Sequence, residues 1–339
     1  MQCFPGFRIF SIALTALALV HGADSLHIES DAAARIFRRN ADISKAGEFG
    51  FARIQYIHPF DSSDWSATVT LEAERMLRSG ILREAWLGKR NCLYSIKAGY
   101  LENVQGRALY LDEHNPWSNL YRKGLIWDNW GSGLRIDGQA TSHASYSTLF
   151  TINARESGQG MVALHYLNGP FRYTISGGAV SYDTETNDNL LRFGAEGSFE
   201  ESWIQIHGIV AYNHFLGWDS LRNVTMEPGR EQKSLLEVKV HVPGSITLTA
   251  LAFERTYQKR YHHTDRRISG EAQWHHRWID PGIRMDWHKN DSLESIVLKG
   301  FLAWTRFQGD AGIRMDAGLR DIEDSTPTQE IQGVVWFRY

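Results

Sequence analysis

Three stretches of the chain repeat one pattern of glycine, apolar residue, arginine, apolar residue and aspartate. They are Gly133-Leu134-Arg135-Ile136-Asp137, Gly282-Ile283-Arg284-Met285-Asp286 and Gly312-Ile313-Arg314-Met315-Asp316. In an extended strand successive side chains leave opposite faces. This spacing therefore sets each Arg beside its Asp and turns the bulky apolar residues the other way. Rows of such pairs can line a water-filled passage and set a field that sorts ions, or they can neutralise each other and stiffen a wall. Lys97, Arg172, Arg192, Glu196, Glu237, Lys239, Glu271, Lys299 and Arg338 stand at positions that would add to the same charged face. An Arg turned toward lipid at mid-bilayer costs about 2–4 kcal/mol, so in a membrane wall all these charges are expected to face inward. The signs nearly balance, and the expected passage is weakly selective.

Other reactive constellations are weaker. The fourteen histidines include the adjacent pairs His262-His263 and His275-His276, but neighbours on a strand point apart and do not readily share an ion. His262, His263 and Asp265 would sit in an outer loop as a poor metal set. Lipid hydrolysis would need a Ser and a His on one outward face; His207 and Ser202 are present, with no spacing that singles them out. There is no CxxC, no HExxH and no glycine-rich phosphate loop. No catalytic residue, metal or cofactor is expected, and the chain reads as a non-enzyme. Its 36 basic against 39 acidic residues, a net charge of −3, exclude a general binder of nucleic acid.

The elements that must position these charges are strands. From residue 49 onward the dominant apolar period is two. Trp65, Ala67, Val69 and Leu71 alternate with Ser66, Thr68, Thr70 and Glu72; Leu236, Val238, Val240 and Val242 alternate with Glu237, Lys239 and His241. Segments of about ten residues, the length a tilted membrane strand needs, recur about sixteen times, with 14 to 18 as bounds. Short turns at Asn168-Gly169-Pro170, Pro243-Gly244 and Asp280-Pro281-Gly282 alternate with longer polar loops at residues 183–189, 217–233, 258–265 and 321–329. An up-and-down membrane barrel has short periplasmic turns and longer extracellular loops, whereas a soluble sandwich has no reason to alternate so. The expected fold is all-β, a transmembrane antiparallel β-barrel. Trp203, Tyr212, Trp274, Trp287, Trp304 and Phe337 fall near strand ends, where aromatic girdles sit.

The chain divides into three parts. Arg8, the apolar run at residues 9–20 and the small residues after it read as a signal peptide over residues 1–22. Cys3 would leave with it, and Cys92 then has no partner. Residues 23–48 read as a periplasmic segment, with 31–40 as a short helix or a first strand. Residues 49–339 form the barrel. Both ends of a barrel on one side require an even strand count. A first strand before residue 48 would place residues 103–130, the longest non-alternating stretch, after strand five. That stretch is the candidate constriction loop, with Arg107, Asp112, Glu113, Trp117, Arg122 and Lys123 as its candidate pore residues.

Two resemblances bear on function. The last strand, with Val335, Phe337 and Tyr339 on one face, resembles the terminal strand that outer-membrane barrels present to the barrel-assembly machinery. The stretches LREAWLGKR (82–90), SIKAGYLE (95–102) and GSGLRIDG (131–138) resemble outer-membrane porins, most nearly the phosphate- and polyphosphate-selective type, over about a sixth of the chain. That resemblance implies a barrel with a long loop folded into its pore and a passive outer-membrane channel for small hydrophilic solutes or ions. The dense Arg/Lys ladder of a phosphate-selective pore is not evident. The alternatives are a non-conducting barrel with an envelope interaction or assembly role, then a lipid-acting barrel enzyme. Expected partners are outer-membrane lipids and lipopolysaccharide, the assembly machinery and small solutes, without nucleic acid; a homotrimer is an option.

Overall fold

Alternating apolar and polar residues produce a continuous series of antiparallel strands in the computed structural model. It describes residues 25–39, 42–60, 64–74, 82–111, 120, 123–153, 157–183, 188–219, 224–225, 227–258, 262–306, 310–321 and 327–338. The first nine strands are β1 (Ser25–Arg39), β2 (Asp42–Pro59), β3 (Trp65–Glu74), β4 (Leu82–Arg90), β5 (Tyr94–Gln105), β6 (Trp127–Gln139), β7 (Ala144–Ile152), β8 (Gly158–Asn168) and β9 (Phe171–Asp183). There follow β10 (Asp188–Glu200), β11 (Ile204–Phe215), the two-residue pieces β12 (Trp218–Asp219) and β13 (Val224–Thr225), β14 (Gly229–Val242) and β15 (Ile246–Gln258). The last are β16 (His262–Trp274), β17 (Asp280–Asn290), β18 (Glu294–Arg306), β19 (Ala311–Arg320) and β20 (Thr328–Arg338).

Each strand of the main sheet bonds to its sequence neighbours, and β20 returns to β1 with Glu29 opposite Arg338 and Arg38 opposite Gln329. The sheet is therefore a closed antiparallel barrel of 18 strands, with β12 and β13 as a separate ribbon. Closure removes every edge that would otherwise leave N–H and C=O groups unpaired in a bilayer.

The count lies at the upper bound of the sequence expectation because two strands precede Trp65. Residues 31–39, the helix candidate, lie inside β1, which is paired to β2 on one side and to β20 on the other. Two ladders satisfy most of the backbone of this segment, with a register shift between Arg35 and Phe37, whereas a helix of under three turns is marginal alone. The barrel thus begins at Ser25, not at residue 49, and five strands precede the long loop. Residues 1–24, with the expected signal peptide, and Tyr339 lie outside the described residues.

The alternation of connections is uneven. Turns such as the one through Gly169 and the one through Pro243, Gly244 and Ser245 are tight, with left-handed φ at Gly169, Gly244 and Ser245. At the opposite end residues 106–126 form a long connection, yet only residues 40–41 join β1 to β2. His262, His263 and Asp265, expected in a loop, begin β16, because the ladder with β15 continues to Gln258 opposite His262.

Strand parity separates two surfaces. Ile175, Leu164, Val210, Leu236 and Ile268 point outward and are exposed, as the apolar band of a bilayer-spanning barrel requires. Trp274, Trp304 and Phe337 share that outward parity. The other parity faces the lumen and carries His207, Glu237, Asp316 and Glu330, all buried.

Candidate functional site

The described residues of the connection between β5 and β6 (106–111, 120 and 123–126) pack inside the lumen instead of away from the barrel. Its apolar residues Ala108, Leu111, Leu120, Leu125 and Ile126 form one buried cluster with Ile209, Ala211 and Phe215 of β11, Leu235 of β14 and Leu251 and Phe253 of β15. Those wall residues have lumen parity, so a stretch of the inner wall is apolar where the loop covers it. Trp127, at the start of β6, is fully buried and donates its indole N–H to Ser176 Oγ at 3.2 Å. Burial of this apolar area drives the loop onto the wall; the polar contacts fix where it sits.

Those contacts converge on three adjacent strands. Glu237 of β14 accepts the backbone N–H groups of Leu109 at 2.6 Å, Tyr110 at 3.1 Å and Leu111 at 3.4 Å. Glu196 of β10 accepts the N–H of Gly106 at 3.2 Å. Gly106 has a φ of 74°, and a Cβ there would crowd Ile126 and Ile209, so the loop turns at a residue that only glycine readily provides. His207 of β11 lies between the two carboxylates, its Nε2 3.0 Å from Glu196 and its Nδ1 3.2 Å from Glu237. Tyr110 packs edge-on to the His207 ring, with ring centroids 6.2 Å apart. Burial, followed by the nearby carboxylates of Glu200 and Glu237, pushes the Tyr110 phenol up to about 12.

Opposite the loop the lumen holds a cavity of about 690 Å³, bounded by Tyr110, Leu111 and Leu120 on one side and by β16–β20 and β1 on the other. Two of the Arg-x-Asp repeats are on this wall. Arg284 bonds Asp286 at 2.9 Å; Arg314 bonds Asp316 at 2.8 Å and Glu271 at 2.8 Å. Arg314 also covers the Phe301 ring, 3.7 Å from its centroid. Lys299 at 2.7 Å, Arg320 at 3.1 Å and Arg35 at 3.2 Å all converge on Glu330, a buried carboxylate shared by three cations. Among the cavity's lining residues the basic side chains outnumber the acidic ones.

The glycines of these two repeats have a packing role. Gly282 faces Phe301 of the next strand and Gly312 faces Trp336 of β20, each leaving the space an aromatic ring occupies inside the lumen. In the first repeat, Arg135 bonds Asp137 at 2.8 Å, but this pair and Lys97 line a separate cavity of about 680 Å³ near the short-turn end. Lys97 lies over the Trp86 ring at 4.4 Å.

The remaining expected residues are dispersed. Arg192 donates to Asn213 at 3.0 Å and covers Trp127; Lys239 lines the large cavity. Arg172 is mostly exposed and 3.8 Å from Glu200, and Arg338 is 3.5 Å from Glu29. In the loop, Arg107 is 3.7 Å from Glu102 and Lys123 is exposed. Asp112, Glu113, Trp117 and Arg122 lie outside the described residues. Val335 and Phe337 face outward on β20.

Ser202 and His207 do not form a couple, since Ser202 is in the β10–β11 turn and His207 is buried in the lumen. His263 bonds Asp291 at 2.8 Å, while Asp265 binds Arg267 and His288. The thiol of Cys92 is free and exposed. Sequence reasoning missed Arg35, Arg320 and Glu330, and gave His207 no place in the lumen.

Known structures share this architecture. The anion-selective porin of Comamonas acidovorans superposes with a TM-score of 0.56 at 10% identity, over 93% of this chain and 99% of that one. OmpT, an outer membrane protein of Vibrio cholerae, in its trimer form gives 0.55 at 10% identity, over 92% and 99%. Pseudomonas aeruginosa OpdK, solved with vanillate, gives 0.54 at 7% identity, over 94% and 99%. No family model and no curated protein matches the sequence. The likeness is one of fold, the closed antiparallel barrel.

Proposed function

We propose that this protein is an outer-membrane channel for the passive diffusion of small hydrophilic solutes and ions. One observation carries the reading: the loop is folded against one inner wall, leaving a charged cavity of about 690 Å³ along the other. A barrel built only to present its outer surface needs neither an inserted loop nor charged side chains on its lumen wall. The short turns would face the periplasm and the loops the exterior, with the outward apolar band among outer-membrane lipids and lipopolysaccharide. Insertion by the barrel-assembly machinery through the β20 face, and assembly as a homotrimer, belong to the same reading.

Selectivity in this reading is weak and leans toward anions. Most lumen charges are paired, as at Arg284–Asp286 and Arg314–Asp316, which flattens the field that sorts ions. The basic excess at the cavity wall supplies the lean, and it extends to phosphate only as one small anion among others. Ser202 and His207, the pair considered for lipid hydrolysis, are not brought together.

Single-channel recording in planar bilayers tests the proposal. Steady conductance, with a reversal potential in a salt gradient displaced slightly toward the anion value, is expected. A folded, inserted barrel that passes no current would overturn it in favour of a non-conducting envelope protein, and strong cation selectivity would overturn the lean.

A further inference from the structure

His207 lies between the two carboxylates that hold the loop backbone, and its ring is fully buried. Both ring nitrogens face carboxylate oxygens, at 3.0 and 3.2 Å. A neutral imidazole has one N–H and one bare lone pair, whereas an ionised carboxylate can only accept. Both contacts are therefore hydrogen bonds only when the ring carries two protons and a positive charge. The two carboxylates and the imidazolium leave one negative charge, which is directed at the N–H groups of Gly106, Leu109, Tyr110 and Leu111. Removing the ring proton leaves one carboxylate against a lone pair, and two like charges, Glu237 buried and Glu196 partly exposed, with no cation between them.

We infer that His207 is the positioning residue of the pore: its charged ring, acting through Glu196 and Glu237, holds the loop against the β10–β14 wall. Loss of that charge frees the Gly106–Leu111 backbone from the wall, on the side that borders the open lumen. This rests on the channel reading. Other titratable or charged groups line the same region: Glu200 on β10, Lys239 on β14, Arg172 and Tyr173 on β9, His165 and Tyr166 on β8, His143 between β6 and β7, and Tyr110 in the loop. His165 differs in its partners, which are the hydroxyls of Ser147 at 2.9 Å and Thr174 at 2.8 Å. A variant at position 207 retains all of these groups, so a pH response that it lacks belongs to the His207 ring.

The test is single-channel recording of the full chain between about pH 5 and pH 10 for wild type, His207→Gln and His207→Lys. Wild type is expected to give a steady current that turns noisy, with mean conductance about twofold lower, as the ring loses its proton. His207→Gln should be noisy at every pH without that step, and His207→Lys should restore the steady current. The inference is overturned if His207→Gln, shown to be folded by heat-modifiable gel migration, matches wild type in conductance, noise and pH profile. Should His207→Gln fail to fold, Glu196→Gln takes its place with the same expected noise and the same overturning result. If the wild type itself does not conduct, the channel reading fails, and hydrogen exchange at the Leu109–Leu111 amides decides the clasp. Those amides should be protected in wild type and exposed in the variant, and equal protection would sink it.

Discussion

Glu237 on β14 and Leu109 in the inserted loop, 128 positions apart, meet in a 2.6 Å hydrogen bond inside the barrel. The Glu237 side chain is wholly buried, so it depends on loop amides and the His207 ring for the solvation that water would give. The dependence is mutual: without the carboxylate, three loop N–H groups would face an apolar wall.

Glu237→Gln should therefore release the loop and leave the barrel standing. The amide keeps one acceptor but loses the charge that strengthens each bond. Exchange of the Leu109–Leu111 amides should speed up by about tenfold or more, given about 1.5–3 kcal/mol for hydrogen bonds to a charged group. Heat-modifiable migration should persist. Unchanged exchange would mean that apolar packing alone holds the loop.

Glu330 is the shared counter-charge of Arg35, Lys299 and Arg320. In Glu330→Gln these three cations lose the carboxylate they share. The anion-to-cation permeability ratio, read from the reversal potential in a salt gradient, should rise about twofold or more. Crowding of like charges should also lower resistance to heat. A ratio equal to that of wild type would remove Glu330 from the field of the pore.

Gly312 and Gly333 make a matched pair of sites on neighbouring strands. A side chain at Gly312 would run into the Trp336 indole, whereas a Cβ at Gly333 meets nothing nearby. Gly312→Leu is expected to cost at least the ~1–3 kcal/mol of core overpacking and to reduce the folded, heat-modifiable band. Gly333→Ala should fold like wild type. Equal folding yields would contradict the packing of Trp336 across Gly312.

Tyr110 ionises late, near pH 12 instead of near 10, chiefly because it is buried and secondarily because Glu200 and Glu237 are close. A raised folded-state value means the docked loop favours the protonated phenol. Its contribution is complete below the ordinary value near 10 and is lost as pH rises through about 12. The alkaline absorbance difference between wild type and Tyr110→Phe should show one tyrosinate appearing near pH 12. An ordinary titration near 10 would contradict its burial.

How much of this was legible in the sequence follows from the range over which each feature is encoded. Strand parity is local, and it is enough to put Arg284, Asp286, Arg314 and Asp316 on one face. The role of the repeat glycines was not legible, since Phe301 and Trp336 belong to the following strands. The clasp draws Glu196, His207 and Glu237 from three strands and Gly106 to Leu111 from a loop, with no spacing to connect them. Glu330 lies one position before the stretch that reads as the final strand, and Arg35 lies in the stretch that reads as a short helix or a first strand. Both have one cause: a strand satisfied on two edges by distant partners carries little evidence of itself in its own residues.

The seam between β1 and β20 is unlike every other ladder in the barrel. All the others join neighbours in the sequence, whereas Arg35 and Gln332 meet across 297 positions at 3.0 Å. Loop-closure entropy makes this the costliest pairing to form and places it late in folding. Arg35 also brings the third cation to Glu330 from across that seam, at 3.2 Å. The electrostatics of the cavity wall are thus completed by the same event that closes the barrel, and a chain still open at this seam would have a lumen that lacks the Arg35–Glu330 contact.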